Sequence, residues 1–374
     1  MKIVFMPMLP LTQKDYEYLG IKYFFENGFD VTILETHQLL LSGYADKVQL
    51  NYFNFKNTIT PSGESELLNF TKKLTDQDFI FYYLASKEAI ILLNKIKASC
   101  KVKFVTFVSG SIPQTSSPCG ALNVLKRKIM PYLRNIQYFF GIRTFHTDYY
   151  FTGAPKDEIV YPYLKTKKSK HIKIHSRDYE NCLKIEKFSN HKPYCVYLDT
   201  DIINASDYEI SGKSYRGIHE YQKKLVSYFQ WIEQNFSVEV IISAHPKSRI
   251  YKNKYDFNGF KVVHNQSAEL VKGCDFLINE GTTAISFGIF FNKAMIFFTM
   301  NEIEFFYNNA CSFGKVLNKK ILNIDNLGDN LLIQMRNELS KNNRYDYYRY
   351  NYLTYKDTYI SNFELIKNEL MNGR

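Results

Sequence analysis

The sequence predicts an α/β protein made of two doubly wound domains. Short segments rich in β-branched and aromatic residues alternate along the chain with longer amphipathic segments, a pattern typical of βαβ units with parallel sheets. The length of 374 residues also exceeds what one core usually holds, because domains cluster at roughly 100 to 200 residues. Apolar residues make up 45% of the chain, which is enough to fill two such cores.

The first domain is predicted over residues 1–165. Its strands are expected at KIVFMPM, DVTILE, DFIFYYL, VKFVTFV and DYYFTG, with helices between most of them. Such a series makes a Rossmann-like unit, because each helix returns the chain to the start of the next parallel strand. After Gly153 and Pro155 the chain becomes a lysine-rich connector, which marks the end of this domain.

A second Rossmann-like domain is predicted over residues 166–350. Strands are expected at YCVYLD, VEVIISA, FKVVHN, CDFLINE and AMIFFT, and helices at EYQKKLVSYFQWIEQNF, at SAELVKG and from Thr283 onward. The tail is helical in pattern, and residues 351–374 are predicted to form a C-terminal helix. The two domains are expected to face each other across a central cleft.

Several function classes are disfavoured by motifs that the sequence lacks. It contains no G-x-x-x-x-G-K-[ST] string and no G-x-G-x-x-G after the first strand, which argues against P-loop kinases and ordinary dinucleotide dehydrogenases. Its six cysteines include no C-x-x-C pair, which argues against a zinc site and fits reduced thiols.

Charge and hydropathy indicate the surroundings in which the protein works. Pro7 and Pro10 interrupt the first apolar stretch, which fits a buried strand better than a secretion signal, so a cytoplasmic protein is expected. The formal net charge of +11 fits nucleic acid, anionic lipid, an anionic substrate or simply a solvated lysine surface. Since no nucleic-acid-binding motif is present, we expect an anionic donor and peripheral association with the inner membrane rather than a nucleic acid partner.

The string AHPKS follows the apolar strand segment VEVII and is the first candidate site. Ligands of open parallel sheets bind beyond the carboxyl ends of strands, so His245 is expected to face a ligand. Pro246 holds His245 extended and can start a helix whose N–H groups point the same way. A phosphate would there meet the imidazole, these N–H groups and the cation Lys247, with Ser248 beside them. A purely structural histidine is the alternative.

The string NEGTTAISFG, residues 279–288, follows the strand segment CDFLI and is the second candidate site. Gly281 permits a tight turn, and Thr282 and Thr283 place hydroxyls and amides at a helix start. Glu280 is expected to accept hydrogen bonds from ribose or sugar hydroxyls. The alternatives are a plain N-capping threonine and a charge that complements the helix dipole.

The string LDTD ends the first strand of the second domain and supplies the candidate general base. A carboxylate at this position is able to accept the proton of an attacking acceptor hydroxyl, with Asp199 preferred and Asp201 as second choice. Paired carboxylates also hold Mg²⁺ or Mn²⁺. Because Lys247 and helix N-termini neutralise the same phosphate charge, no metal and no bound cofactor are expected. A helix-capping acidic pair is the alternative.

The loop SGSIPQTSSPCG follows a strand of the first domain and is long enough to act as a lid or to bind an acceptor. Ser109 and Ser111 are its candidate acceptor-binding residues. An ordinary turn-rich loop is the alternative.

These motifs resemble those of bacterial GT-B surface-polysaccharide glycosyltransferases, which include sialyltransferases, Kdo transferases and polysialyltransferases. His245 and Pro246 match the HP element of that group, and Thr282 with Thr283 match its Ser/Thr pair. The base of the sialyltransferases lies in an acidic-acidic-Gly motif on a different strand, to which Asp199 is a loose counterpart. The resemblance spans roughly residues 174–355, and it implies an acceptor-binding first domain to which the C-terminal helix returns.

The resemblance implies transfer of a sugar from a nucleotide-activated donor, of the CMP-nonulosonic acid or Kdo type, to a glycan or lipid-linked acceptor. One inverting, metal-independent displacement is expected, with the nucleotide sugar as substrate and no cofactor. A CDP-alditol phosphotransferase of the teichoic-acid type and a non-catalytic nucleotide-sugar-binding component of polysaccharide export are the alternatives. An epimerase of sugar nucleotides would need more carboxylates and histidines around its ligand than the sequence places there.

Overall fold

The computed structural model divides into two compact units. The residues it describes are 1–7, 10–40, 53–83, 86–108, 110, 113, 145–153, 168–183, 185, 188, 192–202, 218–245, 257–301, 307–341 and 345–372. Of these, the residues within Met1–Ser111, Cys119–His175 and Asp357–Arg374 form the first unit, and those within Ile112–Pro118 and Ser176–Lys356 form the second. The predicted boundary at residue 165 lies outside the described residues.

The described strands of the first unit form one seven-stranded parallel sheet. They are β1 (Lys2–Met6), β2 (Asp30–Leu34), β3 (Thr58–Ile59), β4 (Phe79–Tyr82), β5 (Lys103–Val108), β6 (Tyr149–Thr152) and β7 (Lys170–Lys173). Their order is β3-β2-β1-β4-β5-β6-β7, and every neighbouring pair is parallel. The order therefore reverses between β1 and β4, where a doubly wound sheet usually binds its ligand.

Helices of the first unit connect these strands. They are α1 (Gln13–Tyr18), α2 (Ile21–Glu26), α3 (His37–Leu40), α4 (Glu64–Thr71) and α5 (Lys87–Ser99). Thr12 and Asp15 form a capping box at the start of α1, and the Ser86 hydroxyl accepts the Ala89 N–H at the start of α5. Phe79 to Tyr82 are all buried, since apolar residues pack on both faces of the sheet.

The described strands of the second unit form a six-stranded parallel sheet. They are β8 (Tyr194–Leu198), β9 (Glu239–Ala244), β10 (Lys261–His264), β11 (Phe276–Asn279), β12 (Ala294–Thr299) and β13 (Ile321–Asn323). Their order is β10-β9-β8-β11-β12-β13, again parallel throughout. The reversal here lies between β8 and β11.

Helices and two hydrophobic clusters cover this second sheet. The helices are α6 (Arg177–Cys182), α7 (Ile218–Phe236), α8 (Ser267–Gly273), α9 (Ile285–Phe290), α10 (Tyr307–Leu317), α11 (Asp329–Ser340) and α12 (Tyr345–Tyr348), which continues as a π-helix over Arg349–Leu353. Helix α7 packs Tyr221, Leu225 and Phe229 into one cluster, and α9 packs Ile285 and Ile289 into the other. The strands are therefore buried from both sides.

The last helix, α13 (Asn362–Asn372), belongs to the first unit. Ile366 and Leu370 lie in the hydrophobic core formed with β1 and α2. Gly20, at a φ of +81°, makes room for this helix, because a Cβ there would lie 2.4 Å from Cε1 of Phe363.

The two parallel sheets confirm the fold class predicted from the sequence. The short edge strands β3, β7 and β13 are missing from the prediction, because two to four residues with few apolar side chains give no clear strand pattern. Strand β7 lies after the predicted boundary at residue 165, yet it pairs with β6 of the first sheet. The helix expected from Thr283 begins at Ile285. Among the described residues, no helix is long and apolar enough to cross a membrane.

Candidate functional site

Polar side chains gather at the carboxyl ends of three neighbouring strands of the second sheet. Leu198, the last residue of β8, pairs with Ser243 of β9 on one side and with Asn279 of β11 on the other. The candidate residues predicted after these strands therefore emerge side by side at the point where the strand order reverses. This is the place where open α/β sheets bind ligands.

Asp199 joins the turn after β8 to the end of β9. Its Oδ1 accepts the N–H of Asp201 at 2.9 Å, and its Oδ2 accepts the N–H of His245 at 3.1 Å. The first bond closes a local turn of the type that Asp side chains favour. Burial raises the pKa of Asp199 to about 6, and the charge of Asp201 adds to the rise, while the two N–H bonds oppose it.

Asp201 and His245 form the second contact between these two strand ends. Oδ2 of Asp201 lies 4.0 Å from Nδ1 of His245. Asp201 is buried and has a φ of +49°, a left-handed conformation that Asp tolerates better than most residues. The side chain of His245 is 33% exposed, whereas Asp199 and Asp201 are buried, so the imidazole is the most exposed side chain of this cluster.

Glu280 lies behind this turn and has no access to solvent, with 1% of the residue exposed. Its Oε2 accepts hydrogen bonds from the hydroxyls of Thr200 at 3.0 Å, Tyr197 at 3.1 Å and Tyr221 at 3.1 Å, and the Tyr221 hydroxyl is also 2.9 Å from Oε1. Burial raises the pKa of Glu280 to about 7, although the three hydroxyls lower it. The described hydrogen bonds of Glu280 all come from protein hydroxyls, and its expected contact with a ribose or a sugar stays a prediction.

The loop after Glu280 is shaped by a glycine and an asparagine. Gly281 has a φ of +106°, and a Cβ there would lie 2.6 Å from the backbone nitrogen of Ala310 in α10. The side chain of Asn279 accepts the Gly281 N–H at 3.0 Å and donates to the Ile296 carbonyl at 3.1 Å. Only glycine therefore fits at position 281 without displacing the backbone of α10.

The two threonines of this loop differ in their contacts. Thr282 is half-buried, and its hydroxyl accepts the Ala284 N–H at 3.3 Å, which closes the turn that leads into α9. Thr283 is exposed, and its carbonyl accepts the Ser286 hydroxyl at 2.9 Å. Neither threonine side chain caps α9, whose N-cap residue is Ala284, and of the two threonines Thr283 is the more exposed.

The structure leaves part of the predicted site undescribed. Pro246, Lys247 and Ser248 lie outside the described residues, and so do Ser109 and Ser111 of the predicted acceptor loop. Within the described part of the chain, no group of three or more His, Cys, Asp or Glu side chains is arranged to hold a metal ion.

Three residues that surround Glu280 carry no sequence signal for this role. The sequence pattern predicts a core residue of a buried strand at Tyr197 and a residue on the apolar face of a helix at Tyr221. Thr200 is simply the residue between two aspartates. One feature of the sequence does indicate such neighbours: Glu280 directly follows a buried strand, and a buried carboxylate needs hydrogen-bond donors nearby.

Comparisons with known proteins bear on the fold. No protein-family model and no curated protein match the sequence. Among solved structures, the UDP-GlcNAc 2-epimerase from Methanocaldococcus jannaschii is similar over 100% of both chains, with a TM-score of 0.51 and 13% identity. The wall teichoic acid polymerase TagF (TM-score 0.48, 10% identity, 100% of this chain and 89% of that one) and MurG from Acinetobacter baumannii (TM-score 0.42, 10% identity, 91% of each chain) are more distant. The likeness to the epimerase is one of fold, and with its two parallel-sheet units the chain has the GT-B fold.

Proposed function

We propose that the chain is a glycosyltransferase that moves a sugar from a nucleotide-activated donor to a glycan or lipid-linked acceptor of the cell surface. The observation that carries the proposal is the partly exposed imidazole of His245 at the end of β9, beside Asp199 and Asp201, which follow β8 at the point where the strand order reverses. The exposed Thr283 follows β11, which lies two strands from β9 in the same sheet. A hydroxyl and an imidazole at such strand ends suit a phosphate of a nucleotide donor.

The proposed donor is a CMP-linked nonulosonic acid or Kdo. An HP element followed in the chain by paired threonines suits a ligand with one phosphate and one carboxylate, as in the group that the sequence resembles. The net charge of +11 supports an anionic donor and an acceptor held at an anionic membrane surface. The first unit is proposed to bind the acceptor.

The proposed mechanism is one direct displacement with inversion at the anomeric carbon. His245, Lys247 and the loop residues Gly281, Thr282 and Thr283 would hold the nucleotide phosphate as it leaves, because its negative charge grows in the transition state. The reaction needs no metal in this scheme, since the leaving charge is met by the imidazole, the lysine and backbone N–H groups.

Asp199 is the proposed proton acceptor for the attacking hydroxyl, with Asp201 as the second choice. The pKa of about 6 at Asp199 lies in the range that suits a general base near neutral pH. Since both of its oxygens already accept backbone N–H groups, Asp199 would act through a remaining lone pair.

Two other functions predict different outcomes for the same site. In a CDP-alditol phosphotransferase, His245 would assist the transfer of alditol phosphate from CDP-alditol to the acceptor hydroxyl, and CMP would be released. A non-catalytic component of polysaccharide export would bind the donor without turnover.

Incubation with CMP-sugars, CDP-alditols and UDP-GlcNAc, followed by product analysis, distinguishes these functions. A glycosyltransferase yields a glycosylated acceptor, a phosphotransferase yields an alditol phosphate on the acceptor, an epimerase yields an epimerised sugar nucleotide, and a binding component yields no product.

Thermal unfolding in the presence of CMP, CDP, UDP and GDP tests the proposed donor site. A nucleotide at 100 times its Kd stabilises the folded state by about 2.7 kcal/mol, which gives a clear rise in Tm. We expect one cytidine nucleotide to stabilise the wild type and to lose its effect in His245→Ala.

The matched control for this experiment is His219→Ala, which removes an exposed imidazole at the start of α7. This variant should keep the full nucleotide effect. If none of the four nucleotides raises the Tm of the wild type, the proposed donor site is refuted.

A further inference from the structure

The carboxylates of Asp199 and Glu280 are buried in the second unit without a cationic partner among the described residues. The contacts of Glu280 are three hydroxyls, and those of Asp199 are two backbone N–H groups. Burying a carboxylate in this way opposes folding, and the pKa of each is raised, to about 6 for Asp199 and to about 7 for Glu280. Buried carboxylates kept at such a cost usually serve a site.

Their hydrogen bonds form a continuous path from β11 to His245. Glu280 accepts the Thr200 hydroxyl, and Thr200 is the middle residue of the turn between Asp199 and Asp201. Asp199 closes that turn through the Asp201 N–H and holds the backbone of His245 through a second N–H. Each step joins neighbouring groups at 2.9 to 3.1 Å.

The end of this path is the carboxylate of Asp201, 4.0 Å from Nδ1 of His245. Buried carboxylates that face one ring nitrogen of a histidine commonly fix its orientation and its tautomer, which leaves the other nitrogen for the ligand. The distance is longer than a hydrogen bond, so the carboxylate acts on the ring through its charge, which favours a proton on the nitrogen that faces it.

We propose that Asp201 is a positioning residue that orients His245, and that Glu280 positions Asp201 by holding the turn at Thr200. The path gives His245 one ring nitrogen, Nδ1, that faces a protein carboxylate, and the other, Nε2, then points away from that carboxylate and donates its N–H to a ligand phosphate when the imidazole is protonated on both nitrogens. Glu280 acts through other residues and touches no ligand. The proposal rests on the proposed function only for the identity of that ligand.

The test is the imidazole ¹⁵N spectrum of histidine-labelled protein without ligand, with the His245 signals identified by their loss in His245→Ala. In the wild type we expect a clear preference for the tautomer protonated at Nδ1. In Asp201→Asn and in Thr200→Val we expect this preference to be lost, so that the two nitrogen signals move toward the values of a free imidazole. Thr200→Ser restores the hydroxyl and should restore the wild-type signals.

Two controls separate positioning from a general effect on folding. Glu280→Gln keeps the shape of the side chain, so the variant should fold and show the circular dichroism spectrum of the wild type. Because it replaces one acceptor oxygen by an NH₂ donor, it should still shift the His245 signals. Glu338→Gln changes another buried carboxylate of the same unit, in α11, and should leave them unchanged. Unchanged His245 signals in folded Asp201→Asn and Thr200→Val overturn the proposal.

The affinity for the stabilising nucleotide provides a second readout. Loss of a charge-assisted contact to the phosphate should weaken binding about 10-fold in Asp201→Asn and in Thr200→Val, with recovery in Thr200→Ser. Because the ¹⁵N spectrum needs no ligand, the two failures are distinct. If the His245 signals shift in the variants while no nucleotide binds the wild type, the proposed donor site is refuted and the positioning proposal is supported. If a nucleotide binds the wild type and the His245 signals do not shift in the variants, the positioning proposal is refuted and the donor site is supported.

Discussion

The two sheets follow the same strand order up to their reversal points, but they place different chemistry there. In the first unit, β1 is followed by the buried Pro7 and β4 by the half-buried Tyr83, whose hydroxyl donates to the Leu19 carbonyl at 3.0 Å. In the second unit, β8 is followed by Asp199 and β11 by Glu280, both buried carboxylates. The residues that follow the two central strands are thus a proline and a tyrosine in the first unit and two carboxylates in the second.

This difference shows that the doubly wound fold provides a location, and that individual residues provide the chemistry. The parallel strands bring three chain segments to one edge in both units, because crossover connections set that geometry. A site arises in the second unit because the residue after each central strand is polar and is held by neighbours. Substitutions at equivalent features of the two units therefore test the comparison.

The largest effect is expected for glycines with a left-handed backbone. Gly281 and Gly28 have φ values of +106° and +80°, but a Cβ would meet α10 at Gly281 and open space at Gly28. Gly28→Ala should lower the free energy of unfolding by about 1 kcal/mol, from backbone strain alone. Gly281→Ala should lower it by about 3 kcal/mol, because the overlap with Ala310 adds to that strain.

Urea unfolding of both variants measures this difference. It also reports whether the loop after β11 depends on its contact with α10. Equal losses of stability in the two variants would show that the contact at Gly281 relaxes freely, and the loop would then not be held by α10.

An intermediate effect is expected for the pH dependence of stability. Burial raises the pKa of Glu280 from its ordinary value of 4.5 to about 7 in the folded state. Since the folded state holds the proton more tightly, this group stabilises the fold below about pH 4.5, and its contribution is lost as the pH rises through about 7. The difference between about 7 and 4.5 corresponds to a full loss on the order of 3 kcal/mol, of which about 2 kcal/mol falls between pH 5 and pH 7.5.

Comparison of wild type with Glu280→Gln isolates this contribution. Other groups act in the opposite direction, such as His175, whose pKa burial lowers to about 4, and they cancel in the comparison. Urea unfolding at pH 5 and pH 7.5 should show a smaller loss of stability with rising pH in the variant. Parallel curves for the two proteins would contradict a raised pKa at Glu280.

The smallest effect is expected at two threonines whose hydroxyls accept nearby N–H groups. Thr12 accepts the Asp15 N–H at 3.1 Å and caps α1 in the first unit, whereas Thr282 accepts the Ala284 N–H at 3.3 Å in a turn of the second unit and does not cap α9. Thr12→Ala should cost about 1 kcal/mol of stability, and Thr282→Ala about 0.5 kcal/mol. Only Thr282→Ala should also weaken nucleotide binding, as measured by thermal shift, and equal nucleotide effects in both would remove Thr282 from the proposed site.

The candidate site was partly foreseeable from the sequence. His245 and Glu280 each follow a run of buried β-branched or aromatic residues, so their position at strand ends could be predicted from pattern alone. The position of Asp199 after Leu198 has the same basis. The burial of the Glu280 carboxylate could not be predicted, because it depends on Tyr221, which lies in a helix and is 59 residues away in the chain.

The sequence by itself determined the alternation of strands and helices, the existence of two such series and the polar residues at strand ends. These follow from local periodicity, which a single segment carries within its own residues. Only the tertiary structure decided that β8 lies between β9 and β11, and therefore that Asp199, His245 and Glu280 lie at the same edge of one sheet. Strand order depends on packing between residues far apart in the chain, and no local pattern encodes which strands become neighbours.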